Sequence, residues 1–102
     1  MNLRVLKTRI ASGDTPCIEL HAIEQIMYIP YERVDDVLKP LTDGRARTLQ
    51  FRDRYRACLA LAATGLSQLE FVHRSSYGEM IGAEGGMAQT EMRQRIDLTR
   101  LL

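Results

Sequence analysis

Five arginines fall between positions 45 and 56, at 45, 47, 52, 54 and 56. The planar guanidinium grips phosphate oxygens with several donors at once, so such a run is a candidate anion or nucleic-acid site. Its geometry argues against one coherent patch. Arg45 and Arg47 flank a turn, and Arg54 falls on the side of a predicted helix opposite Arg52 and Arg56. No recognised nucleic-acid motif accompanies the run, and the sequence pI of 7.8 is modest. A solvated surface with local pairing to Asp53 is the plainer reading. Binding of an anion or nucleic acid through Arg52, Arg54 and Arg56 is the alternative.

Two other groupings could do chemistry. His73, Glu79 and a hydroxyl from Ser75, Ser76 or Tyr77 offer a base, an acid and a nucleophile in one short run. Proximity in sequence does not supply the hydrogen-bond geometry that activates a nucleophile. No Gly-x-Ser-x-Gly, P-loop or dinucleotide fingerprint is present, and Gly82-Ala83-Glu84-Gly85-Gly86 lacks the Lys and Ser/Thr of a phosphate cradle. Cys17, His21, Cys58 and His73 are the candidate metal ligands. Structural zinc sites show close Cys or His pairs twice over, and that spacing is missing. His73 shares strand parity with Leu69 and Phe71 and reads as a histidine at the core edge. The sequence therefore predicts no enzyme activity, no metal and no cofactor.

The elements that would position these residues are readable in order. Asn2 caps a predicted helix over Leu3 to Ala11, whose Leu3, Leu6 and Ile10 form an apolar stripe, and Ser12-Gly13 stops it. In the next strand Ile18, Leu20 and Ala22 share one face and Cys17, Glu19 and His21 the other. A turn near Glu24-Gln25 leads to Ile26–Tyr31, which is apolar on both parities: Met27, Ile29 and Tyr31 point one way, Ile26, Tyr28 and Pro30 the other. Asp35-Asp36 makes a hairpin into Val37–Leu41, and Pro30 and Pro40 belong at edges, bulges or strand ends. Asp43-Gly44 predicts a second hairpin, with Gly taking the positive φ, followed by a strand over Thr48–Phe51. Asp53 caps a helix over Arg54 to Thr64, with Tyr55, Cys58, Leu59 and Ala62 on its buried stripe, and Gly65 ends it in left-handed geometry. Leu66 to His73 follows as a strand, with Leu69 and Phe71 pointing into the core. Residues 75–92 form a flexible Gly-containing loop, and 93–102 a C-terminal strand in which Ile96 and Leu98 alternate with Arg95, Asp97 and Thr99. The predicted class is α+β: an antiparallel meander in the order α-β-β-β-β-α-β-(loop)-β, with the second helix packed on the sheet.

A chain of 102 residues makes one domain, 1–102, long enough for a core without disulfide or metal staples. No apolar run approaches a membrane span, and Arg4, Lys7 and Arg9 break any leader-like core, so the expectation is a cytoplasmic protein without membrane contact. Cys17 and Cys58 fit that compartment as buried free thiols. Residues 17–44 carry six acids and two bases, a balance of −4, while 45–56 carry five bases and one acid, a balance of +4. Such asymmetry can steer a partner or a second copy, though mixed charge also simply keeps a surface soluble.

The opening Met1-Asn2-Leu3 helix ending in Ala11-Ser12-Gly13, the strand meander, and the run Phe71 to Gly82 together resemble a family of short proteobacterial proteins, a domain of unknown function. The best marker is Tyr77-Gly78-Glu79-Met80-Ile81-Gly82; family members more often carry an acid where Gly78 stands, which removes positions 78 and 79 as an acidic pair. The resemblance implies no activity, cofactor or catalytic residue. The residues themselves predict a protein-interaction module, most simply a homodimer or a docking domain for an unknown protein partner. Its surface would combine Met27, Ile29 and Tyr31 with Ile96 and Leu98, because a strand apolar on both faces needs a cover on each.

Overall fold

The computed structural model describes residues 1–24, 26–75, 90–99 and 101. Its elements are helix α1 (Leu3–Ala11), strands β1 (Ile18–Ile23), β2 (Met27–Val34) and β3 (Val37–Pro40), helix α2 (Arg54–Ala62), and strands β4 (Gln68–Ser75) and β5 (Thr90–Asp97). Residues 76–89, most of the loop predicted at 75–92, lie outside the described residues, and with them Ser76, Tyr77, Glu79 and the Tyr77–Gly82 marker.

Local chemistry starts and stops both helices. The Asn2 side chain accepts from Val5 N–H at 2.9 Å, and that of Asp53 from Tyr55 N–H, so each helix has one otherwise orphaned donor satisfied. Gly13 and Gly65 leave the helical region at φ +97° each. A Cβ at Gly65 would also meet Ile10 Cγ2 at 3.3 Å, so this glycine lets α1 and the end of α2 approach closely.

The five strands form one sheet in the order β3-β2-β1-β4-β5. β1–β2, β2–β3 and β4–β5 are antiparallel. The β2–β3 hairpin turns on Asp35 and Asp36, at φ 52° and 67°, the doubly left-handed turn whose twist matches its strands. The α+β class is as the sequence predicts, but the sheet is not a pure meander. β1 and β4 pair in parallel, Glu19 opposite Glu70 through Ala22 opposite His73. Everything from β2 to α2 is therefore a crossover.

Thr48–Phe51 does not become a strand of that sheet. It makes a bridge from Phe51 to Tyr28, with backbone bonds of 2.7 and 2.9 Å, and another from Thr48 to Thr42. Pro30 supplies the reason. Its carbonyl accepts from Leu41 N–H at 3.0 Å on the β3 side of β2, so the N–H that proline lacks is missing from the same side, and the ladder cannot run on unbroken. The turn at Asp43-Gly44 also differs in mechanism. Ala46, not Gly44, takes the left-handed conformation, at φ 64°. The Asp43 carboxylate organises the loop by accepting from Arg45 N–H at 2.7 Å and Arg47 N–H at 3.1 Å.

Strand alternation sorts the sheet into two faces. Ile18, Leu20 and Ala22 join Leu6 of α1, Leu61 and Ala62 of α2, and Leu69 and Phe71 of β4 in the main core, so both helices lie on this side. α2 buries Ala57, Cys58, Leu61 and Ala62, and Tyr55 is 57% exposed. The buried stripe is thus turned from the predicted Tyr55–Cys58–Leu59–Ala62, because small alanines at 57 and 62 allow the helix to sit close to the sheet. Cys58 is buried as predicted, but Cys17 precedes β1 and is exposed; both thiols are free. No helix among the described residues is long and apolar enough to cross a membrane.

Candidate functional site

The face of the sheet opposite the helices is built by every second residue. β1 contributes Glu19, His21 and Ile23; the register places Tyr31, Ile29 and Met27 of β2 opposite them. On the other flank Glu70 and Val72 of β4 lie beside Glu19 and His21, with Arg95 and Arg93 of β5 opposite those two. Arg33 extends the face along β2, opposite Leu38 of β3, and Pro40 lies opposite Tyr31. No described helix packs here.

Glu19 is the centre of this face. Its carboxylate receives Arg33 Nε at 2.5 Å and Arg33 Nη2 at 3.2 Å, a two-donor fork. His21 Nε2 lies 2.9 Å from Glu19 Oε1, and Arg93 Nη1 bridges Glu19 and Glu70 at 3.5 and 2.5 Å. Glu19 and His21 are each only 2% exposed. Burial by itself would raise the Glu19 carboxyl. Hydrogen bonds from Arg33 and His21, with the charges of Arg33 and Arg93, outweigh it and hold the group at about 2. An ionised carboxylate only accepts, so His21 Nε2 carries the proton of that bond. The imidazole also meets the Tyr31 ring edge-on, with centroids 4.8 Å apart.

Two acids and two arginines therefore neutralise each other beneath an apolar border. Val72 is fully buried, while Met27, Ile29, Tyr31 and Leu38 are half-buried and Pro40 is exposed. Such an arrangement leaves the Glu19 oxygens engaged by three partners, Arg33, His21 and Arg93.

Of the five residues predicted for an interaction surface, Met27, Ile29 and Tyr31 share this face. Ile96 and Leu98 do not. Ile96 pairs with Leu69 and packs against the core, and Leu98, 1% exposed, belongs to the core itself, with its N–H bonded to Ser67 O at 2.8 Å. The alternation along the terminal segment is real, but its apolar parity faces the helices. Sequence reasoning also missed the Glu19–His21–Arg33–Arg93 cluster; the only local signal was that Glu19 and His21 share a strand face.

The remaining candidates lie apart. His21 and Cys58 are on opposite sides of the sheet, and among the described residues no three His, Cys, Asp or Glu side chains converge as metal ligands. His73 is on the helix side, stacked on Phe71 with centroids 6.5 Å apart. Cys17 borders an open cleft of about 400 Å³ between the starts of β1 and β4, whose polar lining includes Asp14, Thr15, Ser67, Gln68, Glu70 and Arg95. Arg52, Arg54 and Arg56 are all exposed, and the Arg54 guanidinium lies over the Phe71 ring, 5.1 Å from its centroid.

Compared with known protein families, residues 1–100 match a family of unknown function, DUF6482. The chain belongs to that family. The DUF6482 match spans both helices and all five strands, so the two-faced sheet lies wholly within it. Nothing matches the chain among curated proteins or among solved structures.

Proposed function

We propose that this DUF6482 member is a non-enzymatic binding module that works in the cytoplasm as a homodimer, its two copies meeting through the face of the sheet that carries no described helix. The observation that carries the reading is the strip Met27, Ile29, Tyr31, Leu38 and Pro40, which runs along β2 and β3 beside a charge cluster that is internally neutral. A two-fold interface brings a surface against itself, so it must be self-complementary. Glu19 and Glu70 are offset by Arg33 and Arg93, which limits like-charge repulsion when a second copy meets this face, and Arg95 adds an exposed cation at its β5 border. Edge pairing on the β3 side is disfavoured by its four-residue length and by Lys39 and Pro40. Free Cys17 and Cys58 are consistent with a reducing compartment.

Ile29→Asp tests the reading. Circular dichroism on the variant should match the wild type while its mass falls to that of one chain. A variant that fails to fold would make Ile29 part of the core and remove the support for an interface.

A further inference from the structure

The structure sorts the arginines. Arg9 is paired with Asp14 and Glu32, Arg33 with Glu19, and Arg93 with Glu19 and Glu70. Arg52, Arg54 and Arg56 make no ion pair among the described residues, and the one acid between them, Asp53, is engaged in capping α2. Three exposed cations in five residues thus stand without a carboxylate partner among the described residues.

Arg54 is nevertheless held in place. It lies over Phe71, itself 9% exposed and flanked by Tyr28 at 6.2 Å and His73 at 6.5 Å between ring centroids. Stacking uses the flat face of a guanidinium and leaves its in-plane N–H donors pointing outward, the geometry that forks a phosphate. Tyr55, next along the helix, is 57% exposed, with an arginine on each side in sequence. A tyrosine ring beside phosphate-binding arginines is how single-stranded nucleic acid is gripped without reading its sequence: phosphates on the cations, a base on the ring.

We propose that residues 52–56, braced by Phe71, form a short binding site for single-stranded nucleic acid. Arg54 and Arg56 fall on opposite sides of the first turn of α2, so the strand crosses that turn: Arg54 takes a phosphate on one side, Arg52 and Arg56 take phosphates on the other, and Tyr55, between them in sequence, stacks one base. The site lies on the helix side of the sheet and is independent of dimer formation on the other face.

The test is fluorescence anisotropy with a short labelled oligothymidylate, titrated at several salt concentrations. Three phosphate contacts give a log–log salt slope of about −2 for a single strand. Arg54→Lys, which keeps the charge and loses the fork, and Tyr55→Ala should each weaken binding roughly tenfold, with thermal unfolding unchanged. Tripolyphosphate should compete poorly, because it offers charge without a base. No binding at low salt would overturn the proposal, as would affinity unchanged by the combined Arg52→Gln, Arg54→Gln and Arg56→Gln variant. Full competition by tripolyphosphate together with an unaffected Tyr55→Ala would leave a phosphate site and overturn the nucleic-acid assignment.

Discussion

Glu19 and His21 are two residues apart on one strand, and their side chains meet at 2.9 Å on the sheet face that carries no described helix, each almost wholly buried. A buried carboxylate is tolerated there because Arg33 and Arg93 offset its lost hydration. Glu19→Gln keeps the shape and removes the charge, taking from Arg33 its buried carboxylate partner while Arg93 keeps Glu70. Urea unfolding should show a loss of about 2–3 kcal/mol, reduced from the full penalty of a broken buried pair because both arginines reach solvent.

Acid should act through the same group. The Glu19 carboxyl is lowered from 4.5 to about 2, so its contribution is complete above about 4.5 and is lost as pH falls towards 2. That window should carry about 3 kcal/mol of stability in the wild type. Glu19→Gln should flatten this limb of the stability–pH curve. An unchanged slope in the variant would show that other carboxylates carry the acid sensitivity.

Leu98 separates core from surface. It is 1% exposed and its N–H is tied to Ser67, so Leu98→Ala should cost about 2–5 kcal/mol in denaturant unfolding without changing the oligomeric state at concentrations where the chain is folded. A change in association with little loss of stability would return Leu98 to an interface.

Gly65 serves both backbone and packing. Its φ of +97°, and the 3.3 Å that would separate a Cβ there from Ile10 Cγ2, make Gly65→Ala unfavourable twice over. The variant should lose about 1–2 kcal/mol, read as a lowered Tm. Gly44, with nothing near and no positive φ, should accept alanine with little change.

Much of the fold was legible because it is written locally. Asn2 and Asp53 cap helices by reaching two or three residues along the chain, and Asp35-Asp36 turns a hairpin within itself. The parallel pairing of β1 with β4 was not, since nothing near Glu19 specifies Glu70 as its neighbour. The same distance hid the charge cluster: Arg33 and Arg93 reach Glu19 from β2 and from β5, and only the assembled register brings them together. The alternation at Ile96 and Leu98 was visible, but which side of the sheet it faced depended on pairing with Leu69. Thr48–Phe51 carried a strand pattern that lost to a missing N–H at Pro30, a residue far from it in sequence.

Light scattering on a sizing column, run on the wild type at low and high salt, tests the central claim most directly. An interface of apolar side chains around internally paired charges should survive salt, giving twice the 11.6 kDa of one chain in both conditions. A mass of one chain in both would contradict it.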